Sequence, residues 1–193
     1  MNFEKLQKLR KIEDEIKACR KCPLYKTRKN PVPGEGDPDA RIMLIGLGPG
    51  REEDRQGRPF VGAAGKFLNE LLTLAGLKRE EVFIGNVMKC LLPHNIATEE
   101  QIKACTPYLD RQIDIIKPKI IITLGNVATS YILQKFGFKP QSISRVRGKV
   151  FRVSNLFYQL KIIPMYHPAT ALYNPRMKEV LREDWKKIKE LVG

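Results

Sequence analysis

Two short runs constrain the fold more than any other feature of the chain: Ile42-Met43-Leu44-Ile45 and Ile120-Ile121-Ile122-Thr123-Leu124. Neither alternates apolar with polar residues, so each predicts a strand buried on both faces, as in a parallel sheet enclosed by helices. Further strands are expected near 82–88, 149–153 and 159–165, beside those at 41–46 and 119–124, with a loop at Ser154-Asn155 between the last two. Apolar residues recur at helical spacing between them. Phe3, Leu6, Leu9, Ile12 and Ile16 mark a helix over 2–18, and Phe67, Leu68, Leu71, Leu72 and Leu74 mark one over 63–77 that Gly76 closes. Thr98-Glu99-Glu100-Gln101 is a capping-box start for a helix to about Lys117, and another spans 126–136. Met177, Val180, Leu181, Trp185, Ile188 and Leu191 lie on one face of a long terminal helix. Residues 24–38, broken by Pro31, Pro33, Gly34, Gly36 and Pro38, read as an extended crossing loop. The pattern predicts a three-layer α/β/α fold with a central, mostly parallel sheet, and the 193 residues suit one domain.

In such folds ligands bind at the carboxyl ends of the strands. Three expected strand ends carry polar signals: the loop from Gly46 to Gly62, Gly85-Asn86, and His167-Pro168. The loop has four glycines in its first twelve positions, which lets backbone N–H groups approach a ligand closely. A carboxylate cluster and Arg58-Pro59-Phe60-Val61-Gly62 follow, so a planar ligand can stack on the aromatic ring. Taken alone, the glycines read equally well as a surface turn.

The net charge of +14 points to a polyanionic partner, nucleic acid first; the alternative is an inert basic surface of a protein adapted to a crowded or hot cell. No apolar stretch approaches the ~18 residues of a membrane span, and the first residues lack a signal-peptide core. A soluble, cytoplasmic protein without a membrane partner is expected, with a monomer as the default.

Cys19 and Cys22 form a CxxC pair, and fourteen residues separate Cys90 from Cys105. Four thiolates complete a tetrahedral set for zinc or for an iron–sulfur cluster; a strand end and a helix as the second pair suit the bulkier cluster somewhat better. Free buried thiols or disulfides are the plain alternative.

Together, Gly46-x-Gly48-Pro49-Gly50-x-x-Glu53-Asp54-x-x-Gly57-Arg58-Pro59-Phe60-Val61-Gly62, Gly85-Asn86-Val87-Met88-Lys89-Cys90, His167-Pro168-Ala169 and the cysteine set resemble the type-4 uracil-DNA glycosylases of archaea and thermophilic bacteria. The resemblance covers nearly the whole chain. It implies a repair enzyme that flips uracil from single- or double-stranded DNA and hydrolyses its N-glycosidic bond, with a [4Fe-4S] cluster on Cys19, Cys22, Cys90 and Cys105. A sliding clamp is a candidate further partner. Phe60 would stack on the base, Asn86 would read its N3–H and O4, and His167 would hydrogen-bond O2 as charge develops there. Gly46, Leu47 and Gly48 would offer backbone groups to the ring's other edge, and Glu53 would exclude the methyl group of thymine. Glu52 and Asp54 have a plainer reading as solvated acids. Leu172 or Tyr173 would wedge into the duplex while Arg176 holds a phosphate, in place of an ordinary lead-in to the last helix.

One position departs from the family pattern. The family commonly has glutamate after the first glycine of the loop, where this chain has Leu47. Leucine can neither orient water nor stabilise a cationic sugar. Three accounts follow: Glu53 or Asp54 substitutes, the chemistry needs little help from a base, or the enzyme is weakened. Beyond that, the competing functions are a non-catalytic iron–sulfur DNA-binding protein, which Leu47 favours, and a nucleotide-binding protein, against which the lack of a Gly-Lys-Ser/Thr ending argues.

Overall fold

The computed structural model describes residues 2–154 and 158–193; Asn155, half of the expected loop, lies outside them. In chain order the elements are α1 (Phe3–Ala18), β1 (Glu35–Gly36), β2 (Ile42–Gly46), α2 (Arg51–Gln56), α3 (Ala63–Leu74), β3 (Val82–Asn86), α4 (Glu99–Ile116), β4 (Ile120–Leu124), α5 (Asn126–Lys135), α6 (Ile143–Val146), β5 (Phe151–Ser154), β6 (Gln159–Met165), α7 (Thr170–Tyr173), α8 (Met177–Lys187) and α9 (Lys189–Val192). The sheet order is β1-β3-β2-β4-β6-β5. β3, β2, β4 and β6 run parallel, and β1 and β5 close the edges antiparallel.

The uninterrupted apolar runs have the predicted consequence. On one face, Met43, Ile45, Ile121 and Ile162 pack with Leu109 and Ile113 of α4 and with Ile132 and Leu133 of α5. On the other, Leu44, Ile122 and Ile163 meet Phe67, Leu68 and Leu71 of α3 and Leu181 and Trp185 of α8. Each fully buried aliphatic or aromatic side chain contributes about 1.5–3 kcal/mol, so both layers are held by the same apolar surface that defines the strands. α1 joins through Ile12 and Ile16 against Tyr108 of α4. The capping box at Thr98 and Gln101 forms as expected, and Gly76 takes a left-handed conformation after α3.

Four local expectations need correction. The crossing loop contains β1, which depends on glycine: a Cβ at Gly36 would lie 2.0 Å from the Val82 carbonyl oxygen. The Gly46–Gly62 loop contains α2, opened by Glu52, Glu53 and Asp54 in its first turn, where carboxylates offset the helix dipole, and closed by left-handed Gly57. The second strand stops at Asn86 instead of continuing to 88. The terminal helix is broken between α8 and α9 at Ile188, although its apolar face stays buried through Leu181, Trp185, Ile188 and Val192.

Candidate active site

The carboxyl ends of β2, β3 and β6 bring Gly46, Asn86 and His167 together, with Phe60 arriving from the loop after α2. Gly46 and Asn86 are register partners. A Cβ on Gly46 would lie 2.6 Å from Asn86 Oδ1 and 2.9 Å from Phe60 Cζ, so this glycine lets both side chains close over the strand end. Asn86 is 1% exposed, and its Oδ1 is buried without a hydrogen-bond partner among the described residues. Leaving such an acceptor unmet costs about 1–3 kcal/mol, and a ligand donor removes that cost.

Phe60 and His167 stack, with ring centroids 5.5 Å apart and planes at 28°. Phe60 has φ +50°, a left-handed conformation that costs a bulky residue on the order of 1–3 kcal/mol. Its surroundings hold it there. Arg79 donates to the carbonyls of Pro59 (2.6 Å) and Phe60 (3.1 Å). Glu53 Oε1 accepts the N–H groups of Val61 (2.9 Å) and Gly62 (2.8 Å). A Cβ on Gly65 would stand 1.9 Å from the Phe60 carbonyl oxygen, so α3 starts flush against this turn. β1 contributes Glu35, which pairs with Arg58 and Arg79. Burial raises the Glu35 carboxyl, and the two arginines outweigh it, leaving it below the ordinary carboxylate range.

His167 Nδ1 accepts the Ala169 N–H at 3.1 Å, which places the ring proton on Nε2 as a donor. Burial pushes its pKa down to about 4 against the opposing pull of Glu53, so the ring is neutral at pH 7. A neutral donor beside a stacked ring and an unmet amide acceptor suits a planar ring with a polar edge.

The other expected residues divide. Leu47 is half-buried and packs against the α4–α5 side of the core, its carbonyl accepting the Met88 N–H at 2.8 Å. Gly48 fits closely over Met88 and Leu92. Asp54 is not solvated: it is 3% exposed, and its Oδ1 accepts the Lys29 N–H at 2.9 Å. Glu52 is exposed and pairs with Arg55. On α7, Leu172 and Tyr173 are 49% and 81% exposed, and the exposed Arg176 follows. α7 begins three residues after His167.

Cys19, Cys22, Cys90 and Cys105 line one cavity, together with Ile16, Tyr25, Arg28, Met88, Lys89 and Tyr108. Burial pushes the Cys105 thiol up to about 11 and also raises Cys90. One guanidinium and one backbone N–H donate to these sulfurs. Arg28 donates to Cys90 Sγ at 3.2 Å. Lys89 is fully enclosed, its backbone N–H donating to Cys105 Sγ at 3.2 Å and its Nζ to Gln112 Oε1 and the Pro33 carbonyl; burial lowers its pKa to about 8. Sequence reasoning missed Arg28, Gly65, Arg79 and Lys89. Only Lys89, next to a candidate ligand cysteine, had a positional cue.

The model of the family described as "Uracil DNA glycosylase superfamily" matches residues 33–189. A type-4 uracil-DNA glycosylase of Sulfurisphaera tokodaii is 52% identical over 188 residues, 96% of this chain and 86% of that protein. This chain belongs to the type-4 uracil-DNA glycosylases. Its identity to the Archaeoglobus fulgidus type-4 enzyme is 47% over 97% of the chain and 95% of the relative. For the Thermotoga maritima enzyme it is 41% over 94% and 93%. The superfamily match takes in the whole strand-end site, and the longer type-4 alignments extend over nearly the full chain. Among the described residues no helix is long and apolar enough to cross a membrane.

Proposed function

We propose that this chain excises uracil from DNA by hydrolysing its N-glycosidic bond and leaves an abasic site, a base-excision repair step. The observation that carries the reading is the unmet Oδ1 of Asn86 at the floor of the strand-end site. Uracil N3–H supplies the missing donor, and its O4 accepts from Nδ2 of the same carboxamide. Cytosine presents an acceptor at N3 and a donor at C4, which leaves buried groups unpaired at about 1–3 kcal/mol each.

Phe60 supports the base face, a contact worth about 1–3 kcal/mol by analogy with base–aromatic stacking. His167 Nε2–H points its donor at uracil O2, where negative charge collects as the bond to the sugar breaks. A neutral donor preset in an apolar wall needs no reorganisation as that charge grows. Backbone groups of Gly46, Leu47 and Gly48 border the ring's remaining edge. Of the two acids, Glu53 is the one to orient water, because its Oε2 lies toward Gly50 while Asp54 is engaged by Lys29. Leu172 and Tyr173 enter the duplex when the nucleotide flips, and Arg176 takes a phosphate.

The cysteine site fits a [4Fe-4S] cluster held by Cys19, Cys22, Cys90 and Cys105. Among the described residues no three potential ligands close on a single ion, yet all four cysteines line one cavity, and Arg28 and the Lys89 backbone N–H donate to two of the sulfurs, contacts that suit the sulfurs of an anionic cluster. When bound, the cluster supplies a cross-link between the N-terminal segment, the end of β3 and α4.

The test is single-turnover cleavage of a labelled oligonucleotide carrying one uracil, with thymine and cytosine controls and alkaline scission of the abasic site. Uracil-specific scission that disappears in Asn86→Ala and His167→Ala is the expected result. Binding without scission at enzyme excess would instead leave a DNA reader that has lost hydrolysis.

A further inference from the structure

The cysteine site and the base pocket are joined through three consecutive residues, Arg28, Lys29 and Asn30. Arg28 Nη1 donates to Cys90 Sγ at 3.2 Å, and Nη2 donates to the Lys17 carbonyl at 2.9 Å, two residues before Cys19. One guanidinium therefore braces both halves of the cysteine set. The next residue, Lys29, donates its backbone N–H to Asp54 Oδ1 at 2.9 Å. Asn30 Nδ2 then donates to the carbonyls of Asp54 (2.9 Å) and Arg55 (3.0 Å). The acceptors for Lys29 and Asn30 all lie on α2, which also carries Glu53, the residue holding Val61 and Gly62 next to Phe60.

We propose that Arg28 is a positioning residue that sets both the electrostatics of the cluster and the placement of α2, so that the state of the cysteine site is felt at Phe60. The part concerning Phe60 rests on reading the strand-end site as the uracil pocket. The coupling is mechanical and electrostatic. Three residues span at most about 10 Å when fully extended, so a shift of Cys90 relayed through Arg28 reaches α2 over a short stretch of chain. A cationic N–H donor on a ligand sulfur draws off negative charge, which is one of the levers that set the potential of an iron–sulfur cluster. Neither role is served by an arginine kept only for solubility, which would not be bonded to a buried sulfur and a helix-end carbonyl at once.

The experiment uses the cluster-loaded protein in four forms: wild type, Arg28→Met, Arg28→Lys and Asn30→Ala. Two quantities are read: the midpoint potential of the cluster by spectroelectrochemical titration, and the inhibition constant of free uracil, a probe of the base pocket that needs no DNA contact. Arg28→Met is expected to move the potential to a more negative value and to weaken uracil inhibition about 3- to 10-fold. Arg28→Lys keeps the charge, so its potential stays nearer wild type, while one ammonium cannot brace both Cys90 and the Lys17 carbonyl and uracil inhibition still weakens. Asn30→Ala touches only α2, so it weakens uracil inhibition and leaves the potential unchanged.

A wild-type potential in Arg28→Met overturns the electrostatic role. An unchanged uracil constant in both Arg28→Met and Asn30→Ala overturns the link to the pocket. If Arg28→Met does not fold, the uracil constants of Arg28→Lys and Asn30→Ala decide that link in its place. Absence of uracil inhibition in the wild type sinks the pocket reading itself, and the potential still decides the contact between Arg28 and Cys90.

Discussion

Gly46 and Asn86 are register partners on adjacent parallel strands, and the space that a side chain on the first would fill is occupied by the carboxamide of the second. The backbone of Gly46 has no positive φ, so alanine is tolerated conformationally and fails only by collision. Gly46→Ala is expected to leave the fold and cluster content intact while lowering single-turnover cleavage about 10- to 100-fold, the loss of one well-made buried polar contact. Circular dichroism and iron content check the first half, and the cleavage rate checks the second.

His167 gives a pH prediction with a definite sign. Its folded pKa of about 4 lies below the ordinary histidine value near 6.5. Between these values the unfolded chain binds the proton and the folded chain does not, so stability is complete above about 6.5 and declines as pH falls toward 4. Wild type should lose more thermal stability over that window than His167→Gln, which lacks the titrating ring. Cleavage by the wild type should be flat from about pH 5.5 to 8. An acid limb centred near 6.5 and absent from the variant would show that the ring titrates normally.

Glu53 has a holding role and a proposed chemical one, and two variants separate them. Glu53→Gln keeps an oxygen for the Val61 and Gly62 N–H groups but loses the charge, so it should melt near wild type and cleave far more slowly. Glu53→Ala removes the oxygen as well and strands two backbone donors, which should lower stability by on the order of 3 kcal/mol. Equal cleavage by Glu53→Gln and wild type would assign Glu53 to the turn alone.

The framework of this molecule is written in its apolar runs, because a strand covered on both faces has no other way to be composed. The same rule explains what stayed hidden. β1 and α2 bury little apolar surface and are specified instead by glycine sterics and by a dipole with three acids, neither of which leaves a period. Asp54 reads as one member of a charged run until Lys29, 25 residues earlier, is seen to donate to it. Phe60 was legible as an aromatic at a loop centre, but its left-handed backbone was not. That conformation is imposed by Arg79, Gly65 and Glu53, none of which announces it in the sequence. The strand-end site was legible because the parallel sheet gathers its strand ends, whereas the contact of Arg28 with Cys90 spans 62 residues and follows from no motif.

The exposed pair on α7 predicts a substrate-dependent defect. Tyr173 is 81% exposed and Leu172 49%, two adjacent large side chains left open to solvent a few residues after His167. If they fill the gap left by a flipped nucleotide, the benefit exists only where a base stack must be broken. Leu172→Ala/Tyr173→Ala should therefore slow cleavage of uracil in duplex DNA about 10-fold or more and change single-stranded cleavage little. An equal loss on both substrates would place the pair in general DNA binding.

Leu47 departs from the glutamate that the resemblance to the family implies at this position, and its surroundings say what placing a glutamate there would do. The leucine is half-buried on the α4–α5 side, in the same cluster as Met88 and Leu92, so a glutamate can keep its methylenes on that surface and turn its carboxylate outward. The exchange gives up apolar contact worth about 1 kcal/mol, and the melting temperature of Leu47→Glu should fall by a few degrees. Its single-turnover rate on uracil should rise, because a carboxylate on this strand-end loop can orient water or stabilise positive charge on the sugar. A rate equal to or below wild type, in a protein that retains its cluster and its uracil inhibition, would mean that Glu53 already fills that role.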